Sequence, residues 1–98
     1  MSPRVEFHEA AELELNEAAD FYDLRDPGLG GAFLDEVERG LDQIVKHPEA
    51  AAQAQGAVRK RILARFPYSI FYSIHEDQVR ILAIAHQKRR PFYWRGRR

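Results

Sequence analysis

The 98-residue chain contains no cysteine, one methionine and one tryptophan. Without cysteine it has neither a disulfide framework nor a thiolate metal site. No stretch is apolar and long enough to span a bilayer. No apolar run follows the early Arg4, so no signal peptide is expected, and the cytoplasm is the expected compartment. Gly28, Gly30 and Gly31 precede a helix-like segment but lack the lysine of a phosphate-binding loop. Ser2, Ser69 and Ser73 stand in no nucleophile elbow. His8, His47 and His75 fall at a strand end, a helix end and a turn, and no histidine–acid spacing suggests a metal. Neither a metal nor a cofactor is expected.

Net charge is also missing, with 15 Lys and Arg against 15 Asp and Glu. That zero conceals a division. Through Gln55 there are thirteen acids and four bases; from Gly56 onward there are eleven bases and two acids. Such asymmetry points to an anionic partner, either a nucleic acid or an acidic protein, because a field of one sign steers association even on a neutral molecule.

The length predicts one domain over residues 1–98. Val5 and Phe7 alternate with Arg4 and Glu6, a short strand signal. A helix is predicted from Glu9, with Ala11, Leu15, Ala18, Ala19 and Tyr22 on its apolar face and Glu12, Glu14, Glu17, Asp20 and Asp23 over its remaining surface. Asp26-Pro27-Gly28 breaks it. A second helix is predicted over Gly30–Lys46 on the spacing of Leu34, Val37, Leu41 and Ile44, widened by Phe33 and Val45 and stopped by Pro48. Residues 49–56, rich in Ala and Gln, read as a loop.

Three strands are predicted next: Val58–Arg65, Tyr68–His75 and Val79–His86, with a turn at His75–Gln78. In the first, Arg59, Arg61, Leu63 and Arg65 share one face and Val58, Lys60, Ile62 and Ala64 the other. The predicted order is β-α-α-β-β-β, an α+β fold with a helical hairpin on a small, largely antiparallel sheet. Acidic helices then oppose cationic strands and tail, which are expected to gather their bases into one patch.

Arg59, Lys60, Arg61, Arg65, Lys88, Arg89 and Arg90 are candidates for contacting phosphates or an acidic target. Tyr68, Tyr72, Phe92, Tyr93 and Trp94 are candidates for stacking on bases. His86 ends a strand beside the basic turn, where it can exchange protons near neutral pH. Tyr93 can do so if neighbouring cations lower its pKa. Against these stand plainer roles: a solvated basic face, a packed aromatic core, a backbone-bonded histidine. The acids of the first helix read as solvent-facing. Phe92 and Trp94 are expected to anchor the tail.

The run Arg61-Ile62-Leu63-Ala64-Arg65-Phe66-Pro67-Tyr68-Ser69-Ile70-Phe71-Tyr72, the strand Val79–His86 and the ending Arg89-Arg90-Pro91-Phe92-Tyr93-Trp94 together resemble the RelE/ParE family of bacterial toxins from type II toxin–antitoxin modules. The segments Leu13–Tyr22 and Leu29–Val37 resemble it too, so the likeness covers nearly the whole chain. It implies a compact α+β toxin in a hetero-oligomer with a cognate antitoxin, whose C-terminal segment covers hydrophobic and basic surface. Two modes of action occur in such families. RelE-like members are metal-independent endoribonucleases that cut messenger RNA in the ribosomal A site; ParE-like members inhibit DNA gyrase.

By that resemblance Tyr93 stands at the catalytic tail tyrosine of the nucleases, and Lys60 or Arg61 near their strand lysines. His86, Arg89 and Arg90 stand for acid–base and phosphate-charge roles. Ser69 and Gln87 occupy positions where RelE itself has arginines. Cleavage by a ribose 2′-hydroxyl needs a base, an acid and stabilisation of the phosphorane. The mismatches favour a ParE-like toxin acting on gyrase over a ribosome-dependent nuclease, with an inactive, antitoxin-binding homologue as a third reading.

Overall fold

The computed structural model describes residues 4–98. Strand β1 spans Arg4–Phe7, helix α1 Glu9–Arg25 and helix α2 Leu29–Lys46. Strands β2 (Ala52–Gln55), β3 (Val58–Ile62), β4 (Tyr68–His75) and β5 (Gln78–His86) follow. The five strands form one sheet in the order β1-β5-β4-β3-β2, antiparallel except for the β1–β5 pair. The α+β architecture and helical hairpin agree with the sequence reading, with one strand added. Residues 52–55 are not a loop but an edge strand paired with β3, with a register shift between Gln53 and Gln55. Ala and Gln have little strand propensity; pairing to the neighbouring strand supplies what local preference does not.

The two helices are capped differently at their starts. The N-cap of α1 is His8, whose Nδ1 accepts the Ala10 N–H at 3.0 Å. At α2 the N-cap is Gly28, in the left-handed region at φ 93°, and the cap comes from the previous helix. The Asp23 carboxylate accepts the N–H groups of Gly28 and Gly30 at 3.2 and 2.7 Å. An acid read as solvated surface therefore sets the hairpin joint. A Cβ on Gly30 would collide with the Ala19 carbonyl and the Asp23 side chain, so the helices cross there only with glycine.

The helical layer covers one face of the sheet. Ala11, Ala18 and Ala19 of α1 and Phe33, Val37 and Ile44 of α2 bury against Ile70, Tyr72, Val79, Ile81 and Ile84. The buried stripe of α2 is centred on Phe33 and Gly40, and Leu34, placed in the stripe by spacing alone, is exposed. Glu36 is buried on that stripe, and its carboxylate accepts the Arg65 N–H at 2.7 Å, fixing the loop between β3 and β4.

Between Phe71 and Tyr72 the β4–β5 register slips: Phe71 faces Ala83 and Tyr72 faces Ile81. The slip leaves Leu82 as an extra residue, a β-bulge. Before it, Val79 and Ile81 face the helices; after it, Ile84 and His86 do, because directly paired residues share a face and Ile84 pairs with Ile70 and His86 with Tyr68. Ala83 and Ala85 turn to the far face. There they form a second, smaller cluster with Trp94, which packs against Val58, Phe71 and Tyr93.

Candidate functional site

The site begins at an unfinished edge. β1 pairs with β5 only over residues 78–81, so the rest of that edge has no strand neighbour. Side chains take its place. The Glu14 carboxylate of α1 accepts the Ile84 N–H at 3.1 Å, and the Arg97 guanidinium donates to the Leu82 carbonyl at 2.9 Å. Arg97 also grips Glu14 with both arms, at 2.9 and 3.1 Å, and the Tyr93 hydroxyl donates to the same carboxylate at 2.8 Å. Four donors thus saturate one carboxylate. The Glu14 and Arg97 side chains are only 15 % and 17 % exposed, so this ion pair is shielded from solvent.

This clasp holds the C-terminal segment on the sheet. Trp94 stacks at 5.0 Å on Phe71 and is 4 % exposed. Phe92 is different. Its backbone sits at φ 61°, unusual for a bulky residue, and its ring is 43 % exposed beside Trp94. Of the two expected anchors, Trp94 is the anchor and Phe92 is held outward.

Between the tail and strands β2–β4 lies an open groove of about 540 Å³. Its floor is apolar, from Phe71, Ala85 and Trp94, and Ser69 is buried within it. Lys60, Arg89 and Arg90 line its walls, with Ile62 and Phe92 the exposed apolar members. None of those three bases has a carboxylate within ion-pair distance among the described residues. A smaller concavity of about 270 Å³ opens on the other side of the tail, between α1 and β5. His86, Arg89 and Tyr93 line both and form the ridge between them.

The candidate bases therefore do not converge as one patch. Arg59 and Arg61 pair with Tyr72 and Ile70, so they lie on the helix side, opposite Lys60. Arg59 donates to the carbonyls of Glu49 and Ala51 at 3.0 and 2.8 Å, securing the chain entering β2. Arg65 lies in the loop beyond β3, its guanidinium over Phe66. Lys88 is exposed in the turn after β5. Among the stacking candidates, Tyr72 is fully buried with its hydroxyl donating to the Pro48 carbonyl, and Tyr68 packs on Phe33 and Tyr22.

Tyr93 is a phenol held as a donor. Burial raises its pKa most, and the hydrogen bond and negative charge of Glu14 raise it further. Arg89, 3.9 Å above the ring, and Arg97 pull the other way without offsetting this. The expected lowering by neighbouring cations is outweighed. A phenol whose pKa stands above its ordinary value and whose proton is directed at a carboxylate is unsuited to serve as a base at neutral pH. His86 accepts the Lys88 N–H on Nδ1 at 3.0 Å, so its neutral ring carries the proton on Nε2. Glu14 and Arg97 are the residues of the clasp that the sequence reading missed; one acid among many on α1 and one base among many in the tail, they have no local signature.

Among the described residues no group of three or more His, Asp or Glu side chains is placed to hold a metal ion, and no helix is long and apolar enough to cross a membrane.

Comparison with known proteins supplies the family. No curated protein matches the sequence. A solved structure titled "Chromosomal ParDE TA system from P. aeruginosa" superposes with a TM-score of 0.77 at 17 % identity, covering 87 % of this chain and 96 % of the other. At that identity the likeness speaks for the fold. Residues 5–91 match the family described as "ParE toxin of type II toxin-antitoxin system, parDE". Tyr93, Trp94 and Arg97 lie beyond the matched stretch, while Glu14, the other half of the clasp, lies within it. With most of its length matched in this way and its fold shared, the chain belongs to the ParE toxin family of type II toxin–antitoxin systems.

Proposed function

We propose that this chain is a growth-inhibiting toxin that binds DNA gyrase in the cytoplasm through the open-face groove, leaves ribosome-bound message intact and is silenced by a cognate antitoxin. The observation that carries the reading is the state of Tyr93. The tail tyrosine that a RelE-like cleavage would use is spent on Glu14 with its pKa raised. Ser69, buried in the groove floor, and Gln87 supply no charge where RelE has arginines. What remains is a binding surface: an apolar floor, outward Phe92 and Ile62, and the bases Lys60, Arg89 and Arg90. Aromatic and arginine side chains around a partly dry groove are the usual anchors of protein recognition. Membership of a toxin–antitoxin family supports an antitoxin partner.

Purified toxin added to gyrase should block supercoiling, while a toeprint of stalled ribosomes shows uncut message. Uninhibited supercoiling overturns the target.

One observation favours the nuclease reading. His86 presents an Nε2–H at the ridge between both concavities, beside Arg89. Message cleavage that disappears in His86→Ala would establish that reading and make His86 a proton donor. Expression without any antitoxin tests the inert-homologue reading, since arrested growth excludes it.

A further inference from the structure

Leaving aside Leu34 of α2, the large exposed apolar side chains among the described residues fall into two sets, one on α1 and one on the groove, with Phe21 on the flank between them, lining the smaller concavity with Arg89. On α1, Leu13, Phe21 and Leu24 face solvent, Leu24 at 88 % exposure. Leu13 and Leu24 are eleven residues apart, about three turns, so they lie on one line along the helix. Glu17 and Asp20 stand between them, both exposed. This outer surface is acidic and carries Leu13 and Leu24 exposed to solvent. The other set is Ile62, 63 % exposed, and Phe92, on the groove with Lys60, Arg89 and Arg90. The two surfaces complement each other in charge and in apolar content, and a groove of this kind receives a helix by its apolar stripe.

We propose that the outer surface of α1 in one copy docks into the open-face groove of a second copy. Leu24 and Leu13 meet the apolar walls and floor, while Glu17 and Asp20 meet Lys60, Arg89 and Arg90. Zero net charge removes the long-range repulsion that otherwise keeps copies of a protein apart. What acts between copies is the attraction of unlike faces.

The geometry dictates how such contacts propagate. α1 covers one side of the sheet and the groove opens on the other. A single two-fold axis cannot satisfy both contacts at once. The contact is head-to-tail, and each copy offers one helix and one groove, so association continues past a pair, into an open chain or a ring of three or more copies. Each added copy hides Lys60, Arg89 and Arg90 of its neighbour. The docking does not depend on what the toxin's target is.

Sedimentation velocity of the full chain, made by cell-free synthesis, tests this. At low salt the mean mass should climb with concentration past that of a dimer. It should return to the monomer near 1 M salt, where the screening length falls to about 3 Å. Two exposed positions give decisive variants, with circular dichroism confirming their fold. Leu24→Lys, or Leu13→Lys in its place, removes the helix anchor; Arg90→Glu reverses the groove. Each alone should stay monomeric at low salt. Mixed, they should form a one-to-one dimer that grows no further, since one keeps an intact helix and the other an intact groove. A wild-type chain that stays monomeric at low salt overturns the proposal, as does a closed dimer that persists in both variants.

Discussion

Arg59 and Lys60 are neighbours in β3 and belong to different worlds. Arg59 lies on the helix side and is consumed by the carbonyls of Glu49 and Ala51. Lys60 lies on the open side, opposite Phe71, with no carboxylate partner among the described residues. The same division runs across the sheet. Helix-side residues such as Ile70 and Tyr72 have no access to solvent; on the open side Trp94, Ala83, Ala85, Ser69 and Ser73 are closed off, while Lys60, Arg89 and Arg90 beside them form no ion pair among the described residues. A cation is informative about binding only once the face it occupies, and what it already holds, are known.

The largest expected effect comes from breaking the open side's own small core. Trp94→Ala should cost about 3–5 kcal/mol, at roughly 4–8 °C of melting temperature per kcal/mol for a domain of this size. A melt within noise of wild type would mean the tail is free. Next is the clasp. Glu14→Ala leaves the Arg97 and Tyr93 donors without their acceptor and should cost about 3 kcal/mol, whereas Glu12→Ala on the exposed side of the same helix should leave the melt unchanged. Equal melts for the two would remove Glu14 from any special role.

A smaller difference separates the two β3 cations. Arg59→Ala should lose about 1–2 kcal/mol for its two backbone hydrogen bonds and keep its activity per folded molecule. Lys60→Ala should melt like wild type and inhibit gyrase less. The reverse pattern would exchange the roles of the two faces.

The smallest effect is alkaline. Tyr93, Tyr22, Tyr68 and Tyr72 all have pKa values raised above the ordinary 10.0, with burial the leading cause in each. The unfolded chain then loses these protons before the folded one. Stability should hold up to about pH 10 and decline above it as the unfolded state gains by ionising. Tyr93→Phe should shallow that decline in melts taken from pH 8 upward; an unchanged slope would place the loss in the other three tyrosines.

Much of this was legible in the sequence. The Asp26-Pro27-Gly28 break, the Pro48 stop and the two helices are written in local patterns, and the structure places both within a residue of expectation. The alternation of β3 was also legible. What was hidden is non-local. β2 is held by its partner and not by its own residues. The bulge at Leu82 lies in a run apolar on both faces, so alternation there has no phase to read. Glu14 and Asp23 look like their acidic neighbours because the donors that single them out come from distant or later segments. The sum of bases was visible; its division between faces waited on which side the helices would cover.

One strand has a consequence for the order of folding. β5 is the place where the beginning and the end of the chain meet: β1 lies along its first half, the tail is clasped to its second, and Arg80 reaches both Glu6 and the Arg98 backbone oxygen. The helical hairpin and the β3–β4–β5 meander form between sequence neighbours, but β1 and the tail must close loops of most of the chain's length, which is slow. Pulse-labelled hydrogen exchange during refolding should therefore find β1 amides protected no earlier than those of β5. During synthesis the N-terminal part emerges first, and an interrupted copy lacking β5 has no groove at all. Such a fragment lacks the surface proposed to hold a target, so on that reading harm waits for the last strand and the tail.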